Sequence, residues 1–216
     1  MVAAHHRVQR LADSVLYLCV DRRADRGDLD GFLDAVLGAG VDVVQLRDKD
    51  ADADQIRTAA PVFRAAADRH GALFILNDDP SLAVEVDADG VHVGQDDMTP
   101  EAARAVVGGD RLVGWSTHSV SEVDAAVAAD CDYFATGPVH ATPTKQGRPG
   151  TGLGPVRHAA AVAAGRPWFV TGAMSGATAP EVLAAGATRI VVVRALTEAD
   201  DPAGATTALA RLLRAG

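Results

Sequence analysis

Two carboxylates, Asp78 and Asp97, and an amide, Asn77, stand where short apolar runs give way to polar residues. An all-oxygen set of that kind suits Mg2+, which takes one or two carboxylates and leaves its other positions to water and substrate phosphate; zinc is disfavoured. Asp78 and Asp79 also read as turn or helix-cap residues before Pro80. The company of Asp97 and of nearby cations favours the metal. Arg47, Lys49 and Lys145 could neutralise a diphosphate that the metal also clamps, stabilising charge that develops only as a bond to the leaving group breaks. Gly172 and the segment Val193-Arg194-Ala195 form a second group, suited to binding a phosphate through backbone amides. One diphosphate and one monophosphate imply a reaction with two substrates. Such chemistry needs no general base, and the histidines form no recognisable catalytic arrangement. His92 and His118 read equally as substrate contacts and as satisfied histidines, and His140 carries no assigned role.

These residues must be brought together by the elements around them. Eight short apolar runs, at 15–20, 41–46, 73–77, 90–93, 112–115, 133–137, 168–171 and 190–193, alternate with Ala-rich amphipathic stretches. The pattern predicts a parallel sheet covered by helices. Helices are expected at 29–38, 54–69, 100–107, 121–129, 155–164, 180–185 and 203–214, with a short one at 81–86. Thr99 before Pro100, Ser119 or Ser121 before Glu122, and Gly154 before Pro155 mark starts. Gly40, Gly71 and Gly186 mark stops. Eight strand–helix units in 216 residues point to a single-domain (β/α)8 TIM barrel spanning 1–216, with 1–13 a frayed extension. A doubly wound open sheet would need a Gly-rich turn after the first strand, and Val20-Asp21-Arg22-Arg23 has none. In a barrel the carboxyl ends of all strands meet at one mouth, so distant residues share a site.

Composition limits the rest. The net charge of -9 argues against general affinity for nucleic acid or an anionic membrane surface. Only Lys49 and Lys145 are lysines against eighteen arginines, and each follows an expected strand end, where a compact ammonium suits phosphate. Cys19 and Cys131 match no metal spacing and read as reduced thiols in a cytoplasmic protein. No apolar run reaches the length of a membrane span. Small-molecule partners are expected, and a homo-oligomer is compatible with the sequence.

From about Leu16 to the last strand the chain resembles the thiamine phosphate synthase family. The likeness is carried by Gln45-Leu46-Arg47-Asp48-Lys49, Asn77-Asp78, His92-Val93-Gly94-Gln95-Asp96-Asp97, Gly114-Trp115-Ser116-Thr117-His118, and Gly137-Pro138 leading to Thr142-Pro143-Thr144-Lys145. No single segment decides, but the five in order at strand ends are specific. The resemblance implies coupling of hydroxymethylpyrimidine diphosphate to hydroxyethylthiazole phosphate, giving thiamine monophosphate and pyrophosphate. It implies that pyrophosphate leaves first and that the thiazole nitrogen traps the pyrimidine cation. It further implies that Arg47, Lys49, Asn77, Ser116 and Lys145 surround the diphosphate, that Asp78 and Asp97 hold Mg2+, and that Gln45 meets the pyrimidine. Thr142, Thr144, Gly172 and the backbone of Arg194, Ala195 and Leu196 would then receive the thiazole phosphate.

Three places depart from the family's pattern. His140-Ala141 replaces an aromatic–proline pair. Thr171-Gly172-Ala173-Met174 replaces an isoleucine, two glycines and an isoleucine, and Arg194 replaces a common serine. Ala173 adds a methyl group where close backbone approach is needed, while Arg194 could meet the phosphate directly or point away as a surface arginine. A thiazole tautomerase of the same barrel family is the enzyme alternative, but it expels no diphosphate and has no need of Asp78, Asp97, Lys49 and Lys145 together. A non-catalytic sensor that retains the pocket is a third reading.

Overall fold

The computed structural model describes residues 2–142 and 149–215. Eight parallel strands follow one another around a closed barrel, and the last pairs with the first. They are β1 (Leu16–Val20), β2 (Val43–Leu46), β3 (Leu73–Asn77), β4 (Gly90–Val93), β5 (Leu112–Thr117), β6 (Tyr133–Thr136), β7 (Trp168–Val170) and β8 (Ile190–Val192). The helices are α1 (Val2–Asp13), α2 (Leu29–Gly38), α3 (Ala53–His70), α4 (Pro80–Glu85), α5 (Pro100–Val107), α6 (Val120–Ala128), α7 (Gly154–Val162), α8 (Ala179–Ala184), α9 (Arg194–Thr197) and α10 (Pro202–Arg214). The expected single-domain barrel is therefore the fold.

Strand alternation sorts the core into two layers. On β1, Leu16, Leu18 and Val20 face the surrounding helices, while Tyr17 and Cys19 face the barrel axis. Val43, Leu73, Ile75, Leu112, Tyr133, Ala135, Phe169 and Val191 share that axial layer. Residues two apart on a strand share a face. It follows that Gln45, Asn77, His92 and Ser116, each two positions beyond an axial residue or one of the strand glycines Gly90 and Gly114, arrive at the mouth on the same inner surface.

Local signals set the helices. Thr99 Oγ1 caps α5 by accepting the Ala102 amide, Ser119 caps α6, and Asp52 forms a capping box with Gln55 at α3. Gly71 ends α3 in the left-handed conformation, φ 68°, which glycine adopts without steric cost. Two elements depart from expectation. Residues 2–13 are not frayed: α1 lies across the N-terminal end of the barrel, where Leu11 is 1% exposed and Arg7 Nε reaches Asp89 Oδ1 at 2.7 Å. The four-residue α9 follows β8 directly, where no helix was expected.

The N-terminal strand ends are tied by charged residues just before the even-numbered strands. Asp42 Oδ2 accepts the Leu16 amide at 3.0 Å, Asp89 Oδ2 the Phe74 amide at 2.9 Å, and Asp132 Oδ2 the Val113 amide at 2.7 Å. Each aspartate also meets an arginine: Arg214, Arg7 with Arg64, and Arg104.

Candidate active site

At the opposite end lies a cavity of about 320 Å3. Gln45, Arg47, Asn77, His92 and Ser116 line one side, and Pro138, Thr142, the segment 171–175, Val193, Arg194 and Ala195 line the other; Tyr17 and Cys19 lie on its wall too. Of the residues expected at a site, Gln45, Arg47, Asn77, Ser116, Thr142, Gly172, Arg194 and Ala195 thus meet around one space. Thr144 and Lys145 lie outside the described residues. Neither the Arg47 nor the Arg194 guanidinium has a hydrogen bond or ion pair among the described residues.

Asp78, Asp97 and Lys49 stand beyond the cavity wall and form a cluster of their own. The alternatives for Asp78 and Asp79 are separated here. Asp79 is the helix cap, its Oδ1 accepting the Leu82 amide at 2.9 Å ahead of Pro80. Asp78 adopts a positive φ of 65°, a conformation uncommon for residues with a side chain, and its carboxylate meets the Lys49 ammonium and the Asp97 carboxyl. Burial and the neighbouring Asp97 raise the Asp78 pKa, against the opposing pull of Lys49. Asp97 is held in turn, its Oδ2 accepting the Gly94 amide at 2.8 Å. Gln95 from the same turn donates to the Ser116 carbonyl at 2.6 Å, which ties the turn after β4 to β5.

Two carboxylates pressed together favour a cation, and their oxygen donors fit a hard divalent ion. Among the described residues no group of three or more His, Cys, Asp or Glu gathers for a metal. A metal on this pair would complete its shell from water and substrate oxygen.

The far side is shaped by contact between β6 and β7. Gly172 has φ 108°, and a Cβ there would overlap the backbone of Pro138 and Val139; one on Gly137 would overlap Thr171. Gly172, expected to let backbone approach a ligand, lines the cavity and also permits close approach to the neighbouring loop. Ala173 follows in the left-handed region at φ 53°, where a methyl group costs roughly 1–3 kcal/mol. Leu196 is a correction. Its side chain is fully buried and its amide donates to Val193 O at 3.0 Å, so that amide is committed within α9 and unavailable to a phosphate.

Beneath the cavity runs a chain of buried polar side chains. Cys19 Sγ meets Gln45 Oε1 at 3.0 Å, Gln45 Nε2 donates to Tyr17 Oη at 2.9 Å, and Tyr17 Oη lies 3.0 Å from Tyr133 Oη. His92 Nδ1 is 3.2 Å from Tyr133 Oη, and His92 Nε2 is 2.9 Å from Ser116 Oγ. Burial holds both tyrosines protonated, their pKa values raised far above the ordinary phenol. His118, by contrast, turns away to the Gly137 carbonyl. His140 lies 3.3 Å from Glu181. The sequence reading missed Tyr17, Cys19 and Tyr133, although the period-2 pattern of β1 and β6 places all three on the inner face.

Comparison with other proteins agrees with the motifs. The family described as thiamine monophosphate synthase matches residues 16–196. A thiamine-phosphate synthase of Acidothermus cellulolyticus is 52% identical over 206 residues, covering 95% of this chain and 97% of the relative. One from Thermobifida fusca is 51% identical over 207 residues, covering 95% and 94%. The solved thiamine phosphate pyrophosphorylase of Pyrococcus furiosus superposes with a TM-score of 0.84 at 28% identity, covering 96% of this chain and 98% of that one.

Proposed function

This chain belongs to the thiamine monophosphate synthase family, and from that premise we propose how its barrel mouth divides the work of the reaction. The protein is a transferase of thiamine biosynthesis. It joins hydroxymethylpyrimidine diphosphate to hydroxyethylthiazole phosphate, releasing thiamine monophosphate and pyrophosphate.

The pyrimidine sits over Gln45 and over Ser116, which is reassigned from the diphosphate set because its hydroxyl ends the buried chain that begins at Gln45; the diphosphate is directed toward Arg47, Asn77, Lys49 and, from outside the described residues, Lys145. Asp78 and Asp97 hold Mg2+. When bound, Mg2+ supplies positive charge to the leaving diphosphate. Arg47 and Lys49 contribute fixed charge to the same oxygens, so the C–O bond breaks heterolytically and its electron pair departs with pyrophosphate. The resulting pyrimidine-methyl cation is stabilised by its ring amino group. The apolar part of the wall, Met174, Val191 and Val193, limits the water that could compete for it. The thiazole phosphate rests on the 171–175 segment and on Val193, Arg194 and Ala195, presenting its ring nitrogen to the cation. New C–N bond and lost C–O bond balance without a protein nucleophile.

One observation carries this reading: a single cavity has pyrimidine-side groups on one wall and phosphate-side groups on the other. The test is to incubate the protein with both precursors and Mg2+ and to quantify both products. Thiamine monophosphate and pyrophosphate in equal amounts, lost with EDTA and restored by Mg2+, are expected. Folded protein that yields neither would exclude the reading.

A further inference from the structure

The buried chain from Gln45 to Ser116 has only two self-consistent directions, because each phenol carries one proton and each link needs one. With Gln45 Nε2 donating to Tyr17, the Tyr17 proton goes to Tyr133, and the Tyr133 proton goes to His92 Nδ1. His92 then carries its proton on Nε2 and donates to Ser116 Oγ, which leaves the serine proton for the cavity. Reversing the tyrosine links while Gln45 stays put would leave the Tyr17 proton without an acceptor. That phenol is 1% exposed, and its described partners are Gln45 and Tyr133 alone. A buried donor left unmade costs roughly 1–3 kcal/mol. Turning the Gln45 amide over reverses every link together, so the two ends of the chain are coupled.

We propose that Tyr17, Tyr133 and His92 are positioning residues that lock Gln45 Oε1 as an acceptor and Ser116 Oγ as a donor toward the cavity, and thereby select an aminopyrimidine over its oxo analogue. An aminopyrimidine presents a ring nitrogen that accepts beside an amine that donates. The oxo form presents a ring N–H and a carbonyl, the opposite pattern. In the observed direction the Cys19 thiol donates to Gln45 Oε1. Gly114 supplies the room: a Cβ there would overlap the Tyr133 ring and come within 2.6 Å of His92 Nδ1. The inference rests on the proposed seating of the pyrimidine over Gln45 and Ser116.

The test compares kcat/KM for the aminopyrimidine diphosphate and its oxo analogue in the wild-type protein and in Tyr133→Phe, with Tyr17→Phe as a second variant. The intrinsic reactivity difference between the two substrates cancels in the ratio of ratios. Breaking the chain is expected to reduce the preference for the amino form about tenfold, mostly through KM of the amino substrate. A purely structural loss would lower both substrates alike, so an unchanged preference in folded variants overturns the inference. Dissociation constants for the two unphosphorylated pyrimidine alcohols, measured by calorimetry, repeat the comparison without turnover. A wild-type protein that binds the amino alcohol selectively yet makes no product would refute the proposed reaction and leave the selection standing; one that binds both alike refutes the selection.

Discussion

The two ends of the barrel carry the same kinds of side chain and use them in opposite ways. At the N-terminal end Asp89, 4% exposed, is met by Arg7, Arg64 and the Phe74 amide, and Asp42 and Asp132 are similarly surrounded. At the mouth Arg47 and Arg194 face a cavity without partners among the described residues, and Asp78 is pressed against Asp97. Burial would raise the Asp89 pKa, but the Arg7, Phe74 and Arg64 contacts outweigh it and hold the carboxyl below its ordinary value. Asp78 shifts the other way. Opposite shifts of one residue type distinguish a charge satisfied by the fold from one that awaits a ligand.

Substitutions at each end can break this contrast. The largest effect is expected at the mouth: Asp97→Ala should lower kcat by roughly 10²–10³-fold while the melting temperature stays near that of the wild type. A large loss of melting temperature would instead make Asp97 part of the framework. At the foot, Asp89→Asn should cost about 3 kcal/mol of stability by leaving buried arginine charge unpaired, with kcat per folded molecule unchanged. Because the folded pKa of Asp89 lies below its ordinary value, its contribution is complete above the unfolded pKa and fades as pH falls through the folded one. The gap in urea midpoint between wild type and variant should therefore narrow below about pH 4. Arg194→Ala should raise KM for the thiazole phosphate about tenfold with little change in kcat; an unaltered KM would make Arg194 a surface residue. The smallest effect belongs to Ala173→Gly. Relief of the left-handed alanine offset by glycine's greater freedom in the unfolded chain should stabilise by less than about 1 kcal/mol, read as a slight rise in melting temperature.

The strands were legible in the sequence because each is a short, buried run, and their bounds fall within two residues of those expected. The mouth was legible because polar residues end those runs. Helix α1 was not, since 2–13 carries no cap signal and is held by contacts more than sixty residues away, such as Arg10 with the Ala72 carbonyl. Gly172 does line the cavity, but its packing against Pro138 and Val139 depends on the β6–β7 contact, which sequence spacing does not reveal. Leu196 looked available because a turn as short as α9 leaves little periodic signature. The polar chain through Tyr17 and Tyr133 depends on which distant strands lie side by side, Gly114 opposite Tyr133 above all, and register is a property of the closed barrel.

The helix across the foot has a consequence for solvent traffic. Leu11 of α1 packs against the axial layer from below, so among the described residues the foot of the barrel is stopped and, in the proposed reaction, water would reach the reacting carbon from the mouth. On the proposed mechanism, the partition of the pyrimidine cation between coupling and hydrolysis would then be a property of the mouth, and the yield of thiamine monophosphate per diphosphate consumed would report how completely the thiazole phosphate seals the entrance.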